Sequence, residues 1–385
     1  MKLFAKTFSG LEDTLCEELK DLGAENIVPT KRGVSFEGDT YLLYAANYTV
    51  RTAVRFLMPL LTFKAENQDE LYSGMRQIPW VDLFSVNKTF AIDSIVSSKY
   101  FNHSHFVSLK AKDAIADAFR EKFNRRPNVE NDSPNIRIHI KIHDTDVEVA
   151  LDSSGDSLHK RGYKQSNSDA PINETLAAGI LRLSGWSSDK IMYDAMCGSG
   201  TFLTEAAFIA TNTPIQKFRD QFCFFHWNNF ETNTWQRVRN TFNNAQLALS
   251  AEQLNTSGAH SSKLIAGIYG SDIEMKAINA CKKNIQYAGF RNITLKKQDF
   301  FTLHPETEPG VLVINPPYDD RIKLEDAIDF YKSIGDSLKH NWKGWQAWVF
   351  TGNLEAAKFI GLKTSRRIPL FNGPIESRLF KFDLF

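Results

Sequence analysis

Cysteine is scarce in this chain: four residues in 385, Cys16, Cys197, Cys223 and Cys281, with no two close together. That argues against a disulfide framework or a zinc module of paired cysteines and points to reduced thiols in a cytoplasm. Charge of one sign is lacking too. The formal net charge is +1, with 22 Lys and Arg against 23 Asp and Glu in residues 1–165 and 24 against 22 in the remainder. No half is basic overall, so nucleic-acid binding would have to rest on local clusters such as Lys31-Arg32, residues 120–126, and His159-Lys160-Arg161 with Lys164. No apolar run approaches a membrane span, and residues 1–6 lack the apolar core of a signal peptide. His103 and His105 have no Cys or carboxylate cluster beside them, so no metal is expected there.

What is present is ordinary soluble composition, 42% hydrophobic and 24% charged, at a length that suits two or three domains. Residues 1–63 read strand, helix, hairpin, helix, strand, a small α+β unit of ferredoxin-like kind. Leu11, Leu15, Leu19 and Leu22 recur at helical spacing before Gly23, and Lys31-Arg32-Gly33 turns a hairpin. Residues 64–155 read as a second α+β unit. Its helix at 104–123 carries Leu109, Ala116 and Phe119 among its apolar positions, and a hairpin joins the alternating run Ile136–Ile142 to Val147–Leu151. One face of that run presents Arg137, His139 and Lys141, either a plain solvent face or one that meets phosphates. Residues 156–169 are polar and read as a linker, and residues 250–262 as a mobile Ser/Asn/Gly-rich stretch. From 170 to 385 strands alternate with helices, interrupted by a Phe/Trp-rich excursion at 218–235. This predicts a doubly wound parallel sheet, closed by a terminal hairpin around Asn372-Gly373-Pro374 that adds one antiparallel strand.

The chemistry gathers at strand ends. Asp194-Ala195-Met196-Cys197-Gly198-Ser199-Gly200-Thr201 joins a strand to a helix through two glycines, which permit a tight turn and close approach of a ligand. No Lys follows Gly200, and the full dinucleotide fingerprint is missing, so phosphate cradling is disfavoured and S-adenosylmethionine fits better. Asp272 ends the next strand, where a carboxylate can accept both hydroxyls of a ribose. Asp299 ends the third, placed to take an adenine amine with Phe300 near its ring. After the buried run Val311–Ile314 comes Asn315-Pro316-Pro317-Tyr318. It offers a carboxamide, rigid carbonyls and an aromatic ring to a planar base that carries an exocyclic amine.

The loop at 194–201, Asp272, Asp299 and Asn315 to Tyr318 resemble the class I methyltransferases that modify exocyclic or amide nitrogens. Residues 97–114 resemble the THUMP RNA-binding domain. Leu158 to Tyr163, Ala170 to Leu181, the 194–203 loop, residues 315–321 and residues 371–380 are together similar to the bacterial THUMP-containing 23S rRNA guanine-N2 methyltransferases. The resemblance covers nearly the whole chain. It implies a ferredoxin-like unit, a THUMP unit and a class I methyltransferase domain in that order, with ribosomal RNA of the large subunit as partner. It implies cofactor contacts from Asp194, Cys197, Gly198, Ser199, Gly200, Thr201, Asp272, Asp299 and Asn315, and catalysis by Asn315, Pro316 and Tyr318. Asp319-Asp320 stands where the family commonly has Gly-Glu. Arg321 could bind a phosphate or form a structural ion pair. Some relatives carry a second methyltransferase; with the chain ending at Phe385, one activity is expected. Two other readings share features with this one: a DNA adenine-N6 methyltransferase, which uses the same Asn-Pro-Pro-Tyr loop, and a non-catalytic RNA-binding assembly factor.

Overall fold

Strand β1 (Lys2–Thr7) opens a strand–helix–hairpin–helix–strand unit that continues through α1 (Glu12–Asp21), β2 (Glu25–Thr30), β3 (Gly33–Glu37), α2 (Thr40–Thr49) and β4 (Ala53–Lys64). The computed structural model describes residues 1–165, 172–254, 267–317 and 324–385. Helix α1 has Glu12 and Asp13 in its first turn and Lys20 in its last, each matched to the helix dipole, and it buries Leu15 and Leu19. Asp39 caps α2 by accepting from the Leu42 N–H at 2.8 Å. The second unit follows with α3 (Gln68–Arg76), α4 (Trp80–Leu83), β5 (Phe90–Ser97), α5 (Ser104–Phe123), β6 (Ile136–His143) and β7 (Asp146–Asp152).

The two α+β units are not separate sheets. Strand β4 is twelve residues long, enough to pair antiparallel with β1 at one end and with β7 along most of its length. The result is one seven-stranded sheet in the order β2-β3-β1-β4-β7-β6-β5, over one shared core. Two sequence expectations change here. On α5, Ala116 and Phe119 are buried but Leu109 is 40% exposed, because the helix packs through Val107, Ala111, Ala114 and Ile115 instead. In the row Arg137, His139, Lys141 the first two are mostly buried and held in ion pairs, while Lys141 stays 59% exposed in a surface pair. Arg137 pairs with Asp93 at 3.0 Å, His139 with buried Asp152 at 3.1 Å, and Lys141 with Glu148 at 3.2 Å.

The expected linker at 156–169 is, over its described part, a strap pinned by three buried side chains. Leu158, Arg161 and Tyr163 are all at most 1% exposed. Arg161 donates to the carbonyls of Leu158 (2.6 Å) and Arg51 (2.7 Å) and lies 3.5 Å from the Glu205 carboxylate, which also accepts from the Tyr163 hydroxyl. A polar composition reads as a free tether only when its charges find no partner inside, and Arg161 and Lys164 do find one.

The second half holds α6 (Glu174–Leu183), β8 (Met192–Asp194), α7 (Thr201–Ala210), α8 (Thr232–Leu254), β9 (Ile268–Asp272), α9 (Met275–Tyr287), β10 (Ile293–Lys297), β11 (Val311–Ile314), α10 (Leu324–Asn341), β12 (Gln346–Thr351), β13 (Arg366–Asn372) and β14 (Ile375–Asp383). Its sheet runs β10-β9-β8-β11-β12-β14-β13, parallel through β12, with β14 antiparallel to both neighbours. The expected mobile stretch at 250–262 falls partly in α8, and its part from 255 on lies outside the described residues.

Past Phe218, which packs against the cluster of Tyr163, Phe208 and Ala288, the Phe/Trp-rich excursion leaves this half's core. Phe222, Phe224, Trp227, Trp235 and Val238 are buried in the N-terminal core. Tyr44 on α2 stacks on Phe224 at 4.3 Å between centroids.

Candidate active site

Strand order reverses between β8 and β11, and the crevice at such a switch point is where open α/β sheets bind ligands. Strand β8 delivers Asp194 there. The chain then turns through Gly198 (φ +52°) and Gly200 (φ +81°) into α7. A side chain at Gly200 is blocked twice, by its left-handed backbone and by Cys281 Sγ, 2.3 Å from where a Cβ would sit. The loop is fixed from two sides. The Gly198 N–H donates to Asp272 Oδ2 and the Cys197 N–H to the Ser271 carbonyl, both at 2.9 Å. From α9, Asn284 donates to the Ser199 carbonyl at 3.0 Å.

Asp272 also accepts the Glu274 N–H at 2.9 Å, so its carboxylate is oriented before any ligand arrives. Asp299 accepts from the Phe301 N–H at 2.9 Å and starts a 3-10 turn that buries Phe300. Burial holds the Asp194 carboxyl well above the usual carboxylate range, and the Asp272 charge adds to the shift. The Cys197 thiol is pushed well up by its contact with Cys281 and by burial; all four cysteines are free thiols.

Asn315 leaves the end of β11, and its side-chain oxygen is buried with no hydrogen-bond partner among the described residues. The Ser199 hydroxyl is buried and unpartnered as well. Both residues line one cavity, where a bound ligand can complete that bonding.

One cavity of about 460 Å³ collects these groups. Asp194, Cys197, Gly198, Ser199, Thr201, Asp272, Asp299, Asn315 and Pro316 all lie on its wall. Gly200 shapes the loop without lining the cavity. Tyr318 and residues 319–321 lie outside the described residues. Sequence reasoning missed several wall residues: Ile172 before α6, Met196, Phe202, Glu274, Phe301, Phe330 on α10, and Asn372 and Ile375 from the terminal hairpin. Glu274 stands two residues past Asp272 and was within reach of a local reading. Asn372 and Ile375 arrive from a hairpin whose register alone brings them here. Among the described residues no cluster of His, Cys, Asp or Glu is arranged to hold a metal, and no helix is long and apolar enough to cross a membrane.

Three family models match the chain: a ferredoxin-like domain described for RlmL at residues 2–57, a THUMP domain at 65–152, and an RMKL-like methyltransferase domain at 161–381. A Synechocystis sp. protein with a provisional RNA methyltransferase name is 40% identical over 99% of this chain and 96% of its own length. The ribosomal RNA large subunit methyltransferase K/L of Syntrophotalea carbinolica is 35% identical over 100% of this chain and 54% of its own length. That of Methylococcus capsulatus is 36% identical over 99% and 51%. The chain thus spans about half the length of the K/L relatives it matches. A protein with a provisional methyltransferase name, solved with SAH, superposes with a TM-score of 0.85 at 26% identity, over 100% of this chain and 98% of its own. A Listeria monocytogenes protein predicted to be an N6-adenine-specific DNA methylase gives 0.84 at 27%, over 100% and 96%.

Proposed function

This chain belongs to the RMKL-like family of THUMP-containing methyltransferases, and from that premise we propose that it methylates the exocyclic N2 amine of a guanine in 23S ribosomal RNA. S-adenosylmethionine is the methyl donor. The observation that carries the reading is the Asn315 carboxamide oxygen, buried and without a partner among the described residues, on the wall of the same cavity as the glycine loop and Asp272.

The residues present fit the donor. Gly198 and Gly200 let it approach the backbone, and Asp272 keeps lone pairs for the ribose hydroxyls. Asp299 and Phe300 suit the adenine edge and face. The Ser199 hydroxyl, without a partner among the described residues, can donate to the donor's carboxylate, with Asp194, Cys197 and Thr201 around it. When bound, S-adenosylmethionine supplies a sulfonium methyl, an electrophile that needs no further activation.

Asn315 and Pro316 act on the amine. Its lone pair is delocalised into the guanine ring, which makes it a poor nucleophile. Accepting its two N–H groups on the Asn315 oxygen and the Pro316 carbonyl localises that pair and stabilises the positive charge that grows on nitrogen. No strong base is required, since the proton leaves to water once the methyl is on. Tyr318 stacks on the extruded base, a contact of roughly 1–3 kcal/mol against an extrusion cost of a few kcal/mol. The THUMP-bearing sheet supplies RNA affinity by shape and backbone contacts, in the cytoplasm where ribosomal RNA is found.

Incubating the protein with labelled donor and unmodified large-subunit RNA, then digesting to nucleosides, should yield N2-methylguanosine. Methylated adenine in duplex DNA would overturn the reading in favour of the adenine-N6 alternative. Asn315→Ala should lower turnover by about 100- to 1000-fold with donor affinity nearly intact. Unchanged turnover in that variant would sink the assignment of Asn315.

A further inference from the structure

Beside the candidate active site lies a second cleft of about 580 Å³. Its walls come from Phe8 after β1, from the strap at 159–164, from the start of α6, and from the Asn372-Gly373 tip of the terminal hairpin. It shares Ile172 and Asn372 with the active-site cavity, so the two are neighbours.

The charges on its wall are unevenly committed. Lys164 and Glu174 neutralise each other at 2.9 Å. Arg161 is buried, tied to two carbonyls and close to Glu205. Lys160 is different. Its side chain is 61% exposed, and its only ion pair among the described residues is with Asp156, at 3.5 Å and itself 62% exposed. Such a pair contributes little and exchanges readily. His159 lies beside it on the same wall, with Nδ1 2.8 Å from the Ser157 hydroxyl. Lys160 also lines a smaller cleft of about 310 Å³ on the other side of the strap. There it is joined by Arg137 of β6 and by Arg219, with Asp132, Asp156 and Asp220 as the acids. It therefore stands where the surface of the N-terminal sheet meets the approach to the active site.

A nucleotide whose base enters the active site stays joined to its neighbours, so a flanking phosphodiester must lie close to the mouth. We propose that the cleft beside the active site holds that phosphodiester, with Lys160 as its cation, released from Asp156, and His159 at its side. The inference rests on the RNA reading above. It assigns Lys160 to positioning the RNA and gives it no part in methyl transfer itself.

The test compares Lys160→Glu and Lys160→Arg with the wild-type protein, full length, on unmodified large-subunit RNA across a salt series. Lys160→Glu should raise the KM for RNA about tenfold and flatten its salt dependence by about one contact, a slope change near 0.7 for a single strand. Turnover at saturating RNA, donor affinity by calorimetry and thermal midpoint should stay at wild-type values, and Lys160→Arg should restore the KM. If the wild-type protein methylates RNA and Lys160→Glu matches it in KM and salt slope, the cleft is not the backbone site. If the wild-type protein methylates no RNA at all, both this inference and the RNA reading fall together.

Discussion

Asn315 and Asp194 stand at the ends of adjacent strands and have opposite electrostatic needs. Asn315 has an acceptor in search of a donor; Asp194 has a charge in a place that disfavours charge. The second has a consequence for stability. In the unfolded chain an Asp titrates near 3.9, and burial raises Asp194 well above that in the fold. A carboxyl with a raised folded value contributes its full stability below the unfolded pKa and loses it as pH rises through the folded one. Asp194→Asn, which cannot ionise, escapes that loss. Its thermal midpoint should exceed the wild-type value at neutral and alkaline pH, and the gap should close as pH falls toward 4. Midpoints measured across that range check it; a gap that widens toward acid would show that Asp194 is ionised and stabilising. Donor affinity should fall in the same variant, since Asp194 lies on the cavity wall.

The strap and α7 form the joint between the halves. Helix α7 starts at the glycine loop; its Glu205 lies by Arg161 of the strap, and Arg51 donates to the carbonyls of Phe208 (2.9 Å) and Thr213 (3.1 Å) at its far end. Burial raises the Glu205 carboxyl above its usual range while the Arg161 charge opposes that. Removing Arg161 takes away the larger of two cations that offset this buried acid, so Arg161→Met should destabilise the protein by up to about 3–5 kcal/mol in urea unfolding. A loss below about 1 kcal/mol, the range of exposed ion pairs, would show that the joint is not held by this charge. The strap also shows where the sequence stops being legible. Strand ends, the glycine loop and the run before Asn315 were readable because alternation, turn residues and short apolar runs are local signals. The β4–β7 pairing and the burial of Arg161 were not. Both depend on partners far along the chain, and a polar segment has the same composition whether it is solvated or satisfied inside. Ile172, Phe330 and Asn372 escaped for the same reason, since each reaches the cavity through tertiary placement.

At the scale of the molecule the halves share more than a joint. Phe222, Phe224, Trp227 and Trp235 are supplied by the methyltransferase half and buried in the core of the other. Calorimetry should therefore record one cooperative transition, with the donor raising its midpoint. Two separable transitions, one of them insensitive to donor, would contradict that sharing. A fragment starting at residue 156 should be insoluble, because those four aromatic side chains would face water. The arrangement also sets a timetable for synthesis. Strands β1 to β7 leave the ribosome complete, but the rings that fill their core, the last of them Trp235, follow only after Asp152, by roughly 4–17 s at about 5–20 residues per second. During that interval the nascent sheet waits with Tyr44 and Tyr48 uncovered on α2, so the N-terminal half is the first to be made and among the last to be finished.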